Sequence, residues 1–241
     1  MVLMLTVDID NISYTYADGT SALDAVSLQV NAGESVAIIG ANGAGKSTLL
    51  HHLNGLLTPT AGRIHICTHP LNNKTLAEIR RLIGMVFQNP DDQLFMANAI
   101  DDVCFGPLNL GLTSQQALKV ARRALDQVGV LNLQDRAPCR LSDGEKRRVA
   151  IAGVLATSPE ILVLDEPTSG LDPWARRQLI DLLKKLDHTR LIATHDFDLA
   201  HDLCERTIVL CEGKIIADGL TANILTNDFL DSSPAIPANT L

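Results

Sequence analysis

Apolar and polar residues alternate in two segments near the start of the chain. The segments ISYTY, residues 12–16, and ALDAVSLQV, residues 22–30, lie on either side of the turn-forming residues ADGTS. Alternation with a period of two is typical of strands with one buried face, so the pattern predicts an antiparallel pair. The later run SVAII, residues 35–39, is apolar throughout, which is typical of a strand in a parallel sheet covered on both faces.

Apolar residues recur every three or four positions in two later segments, 117–128 and 179–186, which predicts amphipathic helices. Two short apolar runs, ILVLD at residues 161–165 and LIATH at residues 191–195, predict buried strands that end in polar residues. Ligands bind at the carboxyl ends of parallel strands. The polar residues that end these runs are therefore candidates for chemistry.

A glycine-rich turn lies between the run 35–39 and the helix-forming LLHHLNGLL. The pattern Gly-x-x-x-x-Gly-Lys-Ser fits it without a gap. In such a turn, backbone N–H groups and a helix N-terminus point into one concavity that suits a polyphosphate, the lysine reaches the β- and γ-phosphates, and the serine hydroxyl binds Mg²⁺. The alternative is a strand-to-helix turn with an idle lysine. The predicted nucleotide-binding residues of this loop are Gly40, Ala41, Asn42, Gly43, Ala44, Gly45, Lys46, Ser47 and Thr48.

Composition and charge narrow the functional classes. The 241 residues, 46% of them hydrophobic, suit one large α/β domain or two small ones. A net charge of -8 and a pI near 5.3 argue against nonspecific nucleic-acid binding. No apolar segment reaches the roughly 18 residues that cross a bilayer, and the start MVLMLTVDID lacks the basic residues of a signal peptide. Five scattered cysteines predict small core residues in a reducing compartment.

Two successive carboxylates, Asp165 and Glu166, end the run ILVLD. Successive side chains of a strand point to opposite sides, so the two acids can have different roles. We expect Asp165 to bind Mg²⁺ directly or through water, and Glu166 to polarise a water molecule for in-line attack on the γ-phosphate. The alternative is that both acids cap a following helix.

Further motifs follow in one order over nearly the whole chain, and together they resemble those of the ATP-binding cassette family. Besides GANGAGKS and ILVLDEP, the chain has LSDGEKRRVAIAGVLA from Leu141, Gln88 in VFQNPDDQLF, SGLDP at residues 169–173 and His195 in LIATHD. The resemblance implies an α/β fold: a P-loop NTPase cassette with an antiparallel β subdomain, a mixed or parallel core sheet flanked by helices, and a helical signature subdomain at about residues 89–157. It also implies an ATPase that uses ATP and Mg²⁺.

The resemblance implies a dimer in which two cassettes hold two ATP molecules between them. Ser142 and Gly144 of one subunit would donate hydrogen bonds to the γ-phosphate bound by the other subunit. Asp172 would join the two sites across the interface. A helix N-terminus with a hydroxyl and a glycine suits an anion, so the residue types agree with this role.

Within one cassette, the resemblance assigns the remaining roles. His195 would contact the γ-phosphate and hold the surroundings of the attacking water, and Gln88 would touch Mg²⁺ and report the nucleotide state to a docked partner. Tyr16 would stack on the adenine ring. The expected catalytic set is Lys46, Gln88, Glu166 and His195, and the expected metal ligands are Ser47, Gln88 and Asp165.

The signature departs from the usual LSGGQ at two positions, because Asp143 replaces the first glycine and Glu145 replaces the glutamine. Both acids add negative charge near a bound polyphosphate, which predicts weaker closure of the dimer unless Arg147, Arg148 or solvent screens them. Ser142 and its neighbouring glycine are intact, so we expect an active site.

The absence of predicted membrane spans excludes a fused exporter, and the single cassette without a long insertion favours an importer subunit. The segments FQNPDDQLF and DDVCFGPLNLGL are similar to those of the ATPases of energy-coupling-factor and related cobalt and nickel transporters. In that group residues 89–95 would line a groove for short helices of a transmembrane coupling protein. We expect Leu94 and Phe95 to be exposed there and to dock a basic partner. The alternative is that both are core residues.

The preferred interpretation is the ATPase of a cobalt or nickel importer, bound peripherally to the cytoplasmic face of the cell (inner) membrane. Its expected partners are a second copy, a transmembrane coupling protein and a membrane substrate-capture subunit, without nucleic acid. The alternatives are the ATPase of a vitamin importer, for example for biotin, and a soluble cassette protein without a transport role. A small-molecule kinase does not explain the signature or His195. We expect one domain over residues 1–230 and a flexible tail at residues 231–241.

His65, Cys67 and His69 fall at every second position of RIHICTH, so on one strand they would share a face. Such a set is a candidate for a metal-sensing patch. The simpler interpretation, which we prefer, is an exposed strand face opposite Ile64 and Ile66, because a fourth ligand is missing and Pro70 follows.

Overall fold

The computed structural model describes residues 4–226, and the predicted tail at residues 231–241 lies outside the described residues. The strands are β1 (Leu5–Thr15), β2 (Ser21–Asn31), β3 (Ser35–Ile39), β4 (Ala61–Ile66), β5 (His69–Pro70), β6 (Ile83–Val86), β7 (Ile161–Asp165), β8 (Thr189–Ala193), β9 (Arg206–Cys211) and β10 (Lys214–Leu220). The α-helices are α1 (Lys46–Leu53), α2 (Leu76–Leu82), α3 (Ala99–Asn109), α4 (Ser114–Gln127), α5 (Asp143–Leu155), α6 (Pro173–Lys184), α7 (Phe197–Leu203) and α8 (Thr221–Ile224). Short 3₁₀ helices lie at Pro90–Asp92, Leu131–Leu133 and Pro138–Arg140.

The chain divides into two compact units. The first contains the described residues 4–83, 161–166 and 187–226, and the second contains 84–160 and 167–186. Strand β6 begins in the first unit and continues into the second. The expected helical signature subdomain, residues 89–157, falls within the second unit, and the assignment of residues 1–230 to a single domain stays a prediction.

An antiparallel sheet with the strand order β2-β1-β4-β5 forms one part of the first unit. Strands β1 and β2 pair around the turn at residues 16–20, with Ile9 opposite Leu28 and Ile12 opposite Val26. These four side chains are buried. Val26 and Leu28 share a face because they are two residues apart, and the register shift between Ile9 and Ile12 places both of these opposite them. The antiparallel pair predicted from the alternation is confirmed.

A second sheet of the first unit contains the strands β10-β9-β3-β8-β7 in that order. Strand β3 runs parallel to β8 and β9, strand β7 runs parallel to β8, and β10 is antiparallel to β9. Every residue of β3 is buried, as the continuous apolar run predicts. Because β3, β7 and β8 run in one direction, the residues that follow them meet at one edge of the sheet.

Strand β8 ends two residues earlier than the run LIATH predicts. The Thr194 N–H donates to the Ile38 carbonyl at 3.0 Å, and the Asp196 N–H then turns to the Thr194 hydroxyl at 2.9 Å. This turn ends the ladder at Ala193, so the prediction of a strand through His195 is wrong. His195 lies in the turn that precedes α7.

Helices α3, α4 and α5 pack together in the second unit, which also contains α6. The buried side of α4 is formed by Ala117, Ala121, Ala124 and Leu125, and the buried side of α6 by Leu179, Ile180, Leu182 and Leu183. Both helices predicted from the apolar spacing are therefore confirmed. Within residues 4–226, no helix has the length and apolar character needed to span a membrane.

The alternative of a metal patch at His65, Cys67 and His69 finds no support in the described residues. Strand β4 ends at Ile66, and Cys67 turns the chain in the left-handed region at φ 52°, so the three candidate ligands do not share one strand face. His69 lies 3.2 Å from Glu78 instead. No group of three or more His, Cys, Asp or Glu side chains in residues 4–226 is arranged to hold a metal ion. The simpler interpretation is confirmed, since Ile64 and Ile66 are buried.

The cysteines are only partly the small core residues that the sequence predicts. Cys104 and Cys204 are buried, Cys67 and Cys211 are half-buried, and Cys139 is exposed. The prediction is therefore wrong for Cys139.

Candidate functional site

The glycine-rich loop joins β3 to α1 in the first unit. Gly43 and Gly45 have φ values of 82° and 106°, which side chains rarely adopt. A Cβ atom on Gly45 would also lie 2.5 Å from the Ala22 carbonyl oxygen, so the loop requires glycine there. Gly45 is the N-cap of α1 and carries no side chain that could cap it, so the first N–H groups of the helix remain for an anion.

Lys46 lies at the start of α1 and is buried, with 6% of its surface exposed. Its ammonium group donates to the carbonyl oxygens of Gly40 at 2.8 Å and Ala41 at 3.2 Å. The Glu166 Oε1 atom lies 3.7 Å away. The lysine is therefore held directly above the loop, and its charge is balanced by a buried carboxylate.

Glu166 connects Lys46 to His195. The Glu166 Oε2 atom lies 2.7 Å from His195 Nδ1, which donates to it, and accepts the His195 backbone N–H at 3.3 Å. The Glu166 backbone has φ 45°, in the left-handed region, and its N–H donates to the Ala193 carbonyl at 2.9 Å. Glu166 is 4% exposed, whereas half of the His195 side chain is exposed. The histidine ring therefore links the buried carboxylate to the protein surface.

Two of the three expected metal ligands, Ser47 and Asp165, lie in the first unit. Asp165 ends β7, is 3% exposed and is in register with Ala193 of β8. Ser47 follows Lys46 on α1 and is half-buried. A hydroxyl and a carboxylate are hard oxygen donors, which is the donor set that Mg²⁺ prefers, so the residues present fit this ion.

An aromatic cluster that the sequence does not signal supports Tyr16. The Tyr16 hydroxyl and the Thr48 hydroxyl are hydrogen-bonded at 2.8 Å. The Tyr16 ring packs edge to face on Tyr14, with centroids 5.0 Å apart, and Tyr14 packs on His52 at 4.8 Å. The His52 Nδ1–H donates to the Thr48 carbonyl at 2.7 Å, and burial lowers the pKa of this fully buried histidine. The cluster fixes the Tyr16 ring relative to α1.

The remaining predicted site residues, Gln88, Ser142, Gly144 and Asp172, lie in the second unit. Ser142, Gly144 and Asp172 come together on the wall of one cavity of about 450 Å³. Asp172 is the N-cap of α6, and its carboxylate accepts the N–H groups of Trp174 and Ala175 at 2.9 and 3.0 Å. Gln88 is exposed and is not among the residues of this cavity.

Ser142 and Glu145 form a capping box at the start of α5. The Glu145 Oε2 atom accepts the Ser142 backbone N–H at 2.8 Å and the Ser142 hydroxyl at 2.9 Å. The Ser142 N–H lowers the pKa of Glu145, with smaller contributions from Arg136 and Arg148. The sequence carried this signal, since Ser-x-x-Glu before a helix is the capping-box pattern, but Glu145 reads in the signature only as a replaced glutamine.

Arg147, one of the two arginines considered as screens for the signature acids, bonds to backbone carbonyls. The side chain is buried, and its guanidinium donates to the backbone carbonyls of Phe87, Gln88 and Ser169. Arg147 thus joins the segment of Gln88 to the segment SGLDP. Arg148 lines the cavity and donates to Gln178, and its charge, like that of Arg136, lowers the pKa of Glu145.

The expected docking residues have opposite environments. Leu94 is buried at 8% exposure, so the core alternative is right for this residue, whereas Phe95 is 61% exposed. Leu94 is drawn inward because its N–H continues the turn from Pro90, donating to that carbonyl at 3.0 Å. The Phe95 ring packs edge to face on Phe105, which is 41% exposed, with centroids 5.0 Å apart.

A buried carboxylate holds this aromatic pair in place. The Asp102 Oδ1 atom accepts the N–H groups of Phe95 at 2.9 Å and Met96 at 3.0 Å. Burial of the side chain raises the pKa of Asp102. No sequence motif indicates this role of Asp102, because it depends on a turn whose backbone N–H groups face inward.

Comparisons with known proteins agree with the motif order. Residues 23–169 match the family model described as ABC transporter. The Geobacter sulfurreducens protein GSU1281, provisionally named an ABC transporter ATP-binding protein, is 57% identical over 224 residues, which cover 93% of this chain and 90% of that protein. The energy-coupling factor transporter ATP-binding protein EcfA of Methanothermobacter thermautotrophicus is 46% identical over 223 residues, which cover 90% of this chain and 72% of that protein.

Two solved structures have a similar fold. The structure of cbiO1 from Clostridium perfringens, described as part of the ABC transporter complex cbiONQ, has a TM-score of 0.83 and 40% identity, with 93% of this chain and 92% of that chain covered. A dimeric post-hydrolysis state of the ATP-binding cassette MJ0796 bound to ADP and Pi has a TM-score of 0.81 and 32% identity, with 89% of this chain and 98% of that chain covered.

Proposed function

The chain belongs to the ABC transporter family and is an ATPase of that family, and from this premise we propose that it powers an importer for a divalent metal ion, cobalt or nickel. The feature that carries the importer role is the exposed aromatic pair of Phe95 and Phe105, which suits a membrane coupling protein. The similarity to EcfA and to cbiO1 supports this group of transporters over other cassette proteins. Cobalt or nickel as the cargo rests on the sequence resemblance alone.

Nucleotide binding is assigned to the loop and the aromatic cluster. The backbone N–H groups of residues 40–48 and the Lys46 ammonium bind the β- and γ-phosphates. Lys46 exchanges its carbonyl contacts for phosphate oxygens, which are better partners for an ammonium because they are charged. Tyr16 provides a flat face for adenine, held by Tyr14 and by the Thr48 hydroxyl.

Ser47 and Asp165 are the residues of the first unit that would hold Mg²⁺. When bound, the ion neutralises charge that develops on the phosphate oxygens. The protein's own contribution at this point is the placement of hard oxygen donors at the end of β7 and the start of α1.

Glu166 is assigned as the general base. A water molecule attacks the γ-phosphorus in line with the bond to the β-γ bridging oxygen, and that bond breaks, so ADP leaves with the bonding electron pair. The Glu166 carboxylate takes the proton of the attacking water, and inorganic phosphate is the second product. His195 holds Oε2 of the base and presents its exposed ring edge to the γ-phosphate. Glu166 is buried between the Lys46 ammonium and the His195 ring, and these two contacts keep the carboxylate in position.

A second copy of the chain completes each site. Ser142 and Gly144 donate to the γ-phosphate bound by the partner, and Asp172 contacts the partner across the interface. The dimeric state described for MJ0796 supports this arrangement. A homodimer is the simplest form, because one chain carries every motif.

The surface of Phe95 and Phe105, with the nearby acids Asp91, Asp92 and Asp101, is proposed to receive a basic segment of the coupling protein. Opposite charges guide such an encounter, while the aromatic pair provides the apolar contact. The chain then lies peripherally on the cytoplasmic face of the membrane, next to a small membrane subunit that captures the substrate.

The test is co-purification from gently solubilised native membranes, with tagged Glu166→Gln as bait to hold the closed dimer. We expect an integral coupling protein and a small metal-binding membrane subunit, whose bound metal identifies the cargo. Phe95→Ser should lose both proteins while its thermal midpoint and basal ATPase activity are unchanged. Ile216→Ser, which alters another exposed apolar residue, at 46% exposure, in the first unit, should keep both. Recovery of soluble partners alone would contradict the transport role.

A vitamin importer is the second candidate, and the 46% identity to an energy-coupling factor ATPase favours it specifically. The same co-purification separates the two candidates, because the captured membrane subunit would then carry a vitamin, for example biotin, and no metal. A soluble cassette protein without a transport role is the outcome in which no membrane protein is recovered.

A further inference from the structure

The hydroxyl of Ser142 is already occupied by a neighbouring side chain. Its hydrogen is donated to Glu145 Oε2 at 2.9 Å, while its oxygen faces the Glu145 backbone N–H at 3.4 Å. The Ser142 backbone N–H donates to the same carboxylate oxygen at 2.8 Å. Both donors of the residue proposed to bind phosphate are therefore directed at one carboxylate.

The cavity around this pair is rich in acids. Its wall carries the carboxylates of Asp143, Glu145 and Asp172, and the guanidinium of Arg148. Lys146, the next residue on α5, is paired with Asp91 at 2.7 Å. A polyphosphate that approaches Ser142 thus meets several negative charges and competes with one of them for the same hydroxyl hydrogen.

We propose that Glu145 is a positioning residue that holds the Ser142 hydroxyl until the γ-phosphate of a partner subunit displaces it, and so sets the ATP concentration at which the dimer closes. This inference rests on the proposed function of Ser142 in the partner's site. A carboxylate binds a hydroxyl more strongly than an amide oxygen does, because hydrogen bonds to ionised acceptors are the stronger class. A glutamine at the same position would keep the capping box and release the hydroxyl more easily.

The experiment is a titration of the full-length Glu166→Gln protein with MgATP. Closure is followed by gel filtration and by the fluorescence of Trp174, which is the only tryptophan of the chain, is 70% exposed and lines the same cavity. Adding Glu145→Gln should lower the half-saturating MgATP concentration about fivefold, the effect of exchanging a charged for a neutral acceptor. In the protein with Glu166 intact, Glu145→Gln should lower KM by a similar factor, with kcat changed less than twofold.

Three variants separate this role from charge and from folding. Asp143→Asn removes a charge from the same cavity wall. If it lowers the half-saturating MgATP concentration as much as Glu145→Gln does, the effect comes from negative charge in the cavity and not from the bond to Ser142, and the proposal is overturned. Glu205→Gln removes an exposed carboxylate of the first unit and should leave the midpoint unchanged. Glu145→Ala loses the capping box and should lower the thermal midpoint, whereas Glu145→Gln should not.

The outcomes also separate this proposal from the one it rests on. If the Glu166→Gln protein closes with MgATP but Glu145→Gln leaves the midpoint unchanged or raises it, the positioning role is wrong and the dimeric ATPase stands. If the Glu166→Gln protein does not associate at any MgATP concentration up to 10-fold above its measured Kd, the partner's use of Ser142 is wrong and both proposals are overturned.

Discussion

Replacement of Arg147 by methionine should destabilise the protein substantially. The guanidinium is 3% exposed and donates to three backbone carbonyls, those of Phe87, Gln88 and Ser169. Methionine keeps the length and the apolar stem of the side chain but donates to none of them. The fall in the free energy of unfolding therefore measures mainly what the charged hydrogen bonds contribute, because methionine leaves little cavity.

The magnitude follows from the exposure of the acceptors. Hydrogen bonds to a charged group contribute about 1.5–3 kcal/mol each when buried. Gln88 is exposed, and Phe87 and Ser169 are half-buried. In the variant, water can therefore donate hydrogen bonds to some of these carbonyls and offset part of the lost free energy. The variant also no longer has to desolvate a guanidinium. The net cost is about 3 kcal/mol, which corresponds to a fall in thermal midpoint of roughly 6–12 °C for a chain of this size.

Differential scanning calorimetry at one scan rate checks this value. Arg147→Lys should fall between the two proteins, because a single ammonium reaches fewer of the three carbonyls. Arg123→Met, on the exposed side of α4, is the matched control and should cost less than about 0.5 kcal/mol. A thermal midpoint of Arg147→Met within 2 °C of the parent, or an equal fall for Arg123→Met, would refute the reasoning.

Three further predictions concern the first unit. Lys46→Ala should abolish ATP binding in equilibrium dialysis, and normal affinity would contradict the assignment of the loop. Glu166→Gln should bind ATP with near-normal affinity and lower kcat by about 10²–10⁴ in a steady-state assay, whereas full activity would place the base elsewhere. Burial lowers the pKa of His52 in the folded protein. The unfolded chain therefore binds a proton more readily than the folded protein, and stability is lost as the pH falls below about 6.5. His52→Gln should therefore reduce the fall in thermal midpoint between pH 7 and pH 5. Burial also lowers the pKa of His188, which contributes equally to the parent and the variant. An unchanged fall in thermal midpoint would contradict this prediction.

The phosphate loop and its sheet could be predicted because their signals are local. Glycine spacing, an apolar run and a following helix lie within about twenty residues, and the structure confirms the strand and the helix around Lys46. The edge at which Glu166 and His195 meet was also predictable, since both follow short apolar runs. The end of β8 was not, because the turn in which the Asp196 N–H bonds to the Thr194 hydroxyl leaves no signal in the apolar pattern.

The supports of the site depend on packing between distant segments, which a single sequence does not reveal. Tyr14 and His52 are far apart in the chain, and nothing in the pattern indicates that their rings meet. Arg147 reads as one of several basic residues on α5, and only its burial separates it from Arg148. Glu145 differs from these, because its capping box with Ser142 lies within four residues and is visible in the sequence. Comparison with the family's glutamine draws attention to the added charge of Glu145 and away from this capping role.

The left-handed backbone of Glu166 has a consequence for selection experiments. Asparagine, aspartate and glycine adopt this conformation more easily than glutamate, which costs about 1 kcal/mol more. A shorter side chain would relieve this cost, but it would fall short of His195 and Lys46, which Glu166 reaches with two methylene groups. The buried Lys46 ammonium would then lose its carboxylate, which costs more than the backbone gains. A screen of variants for heat resistance alone would thus retain glutamate at this position, even without a turnover requirement.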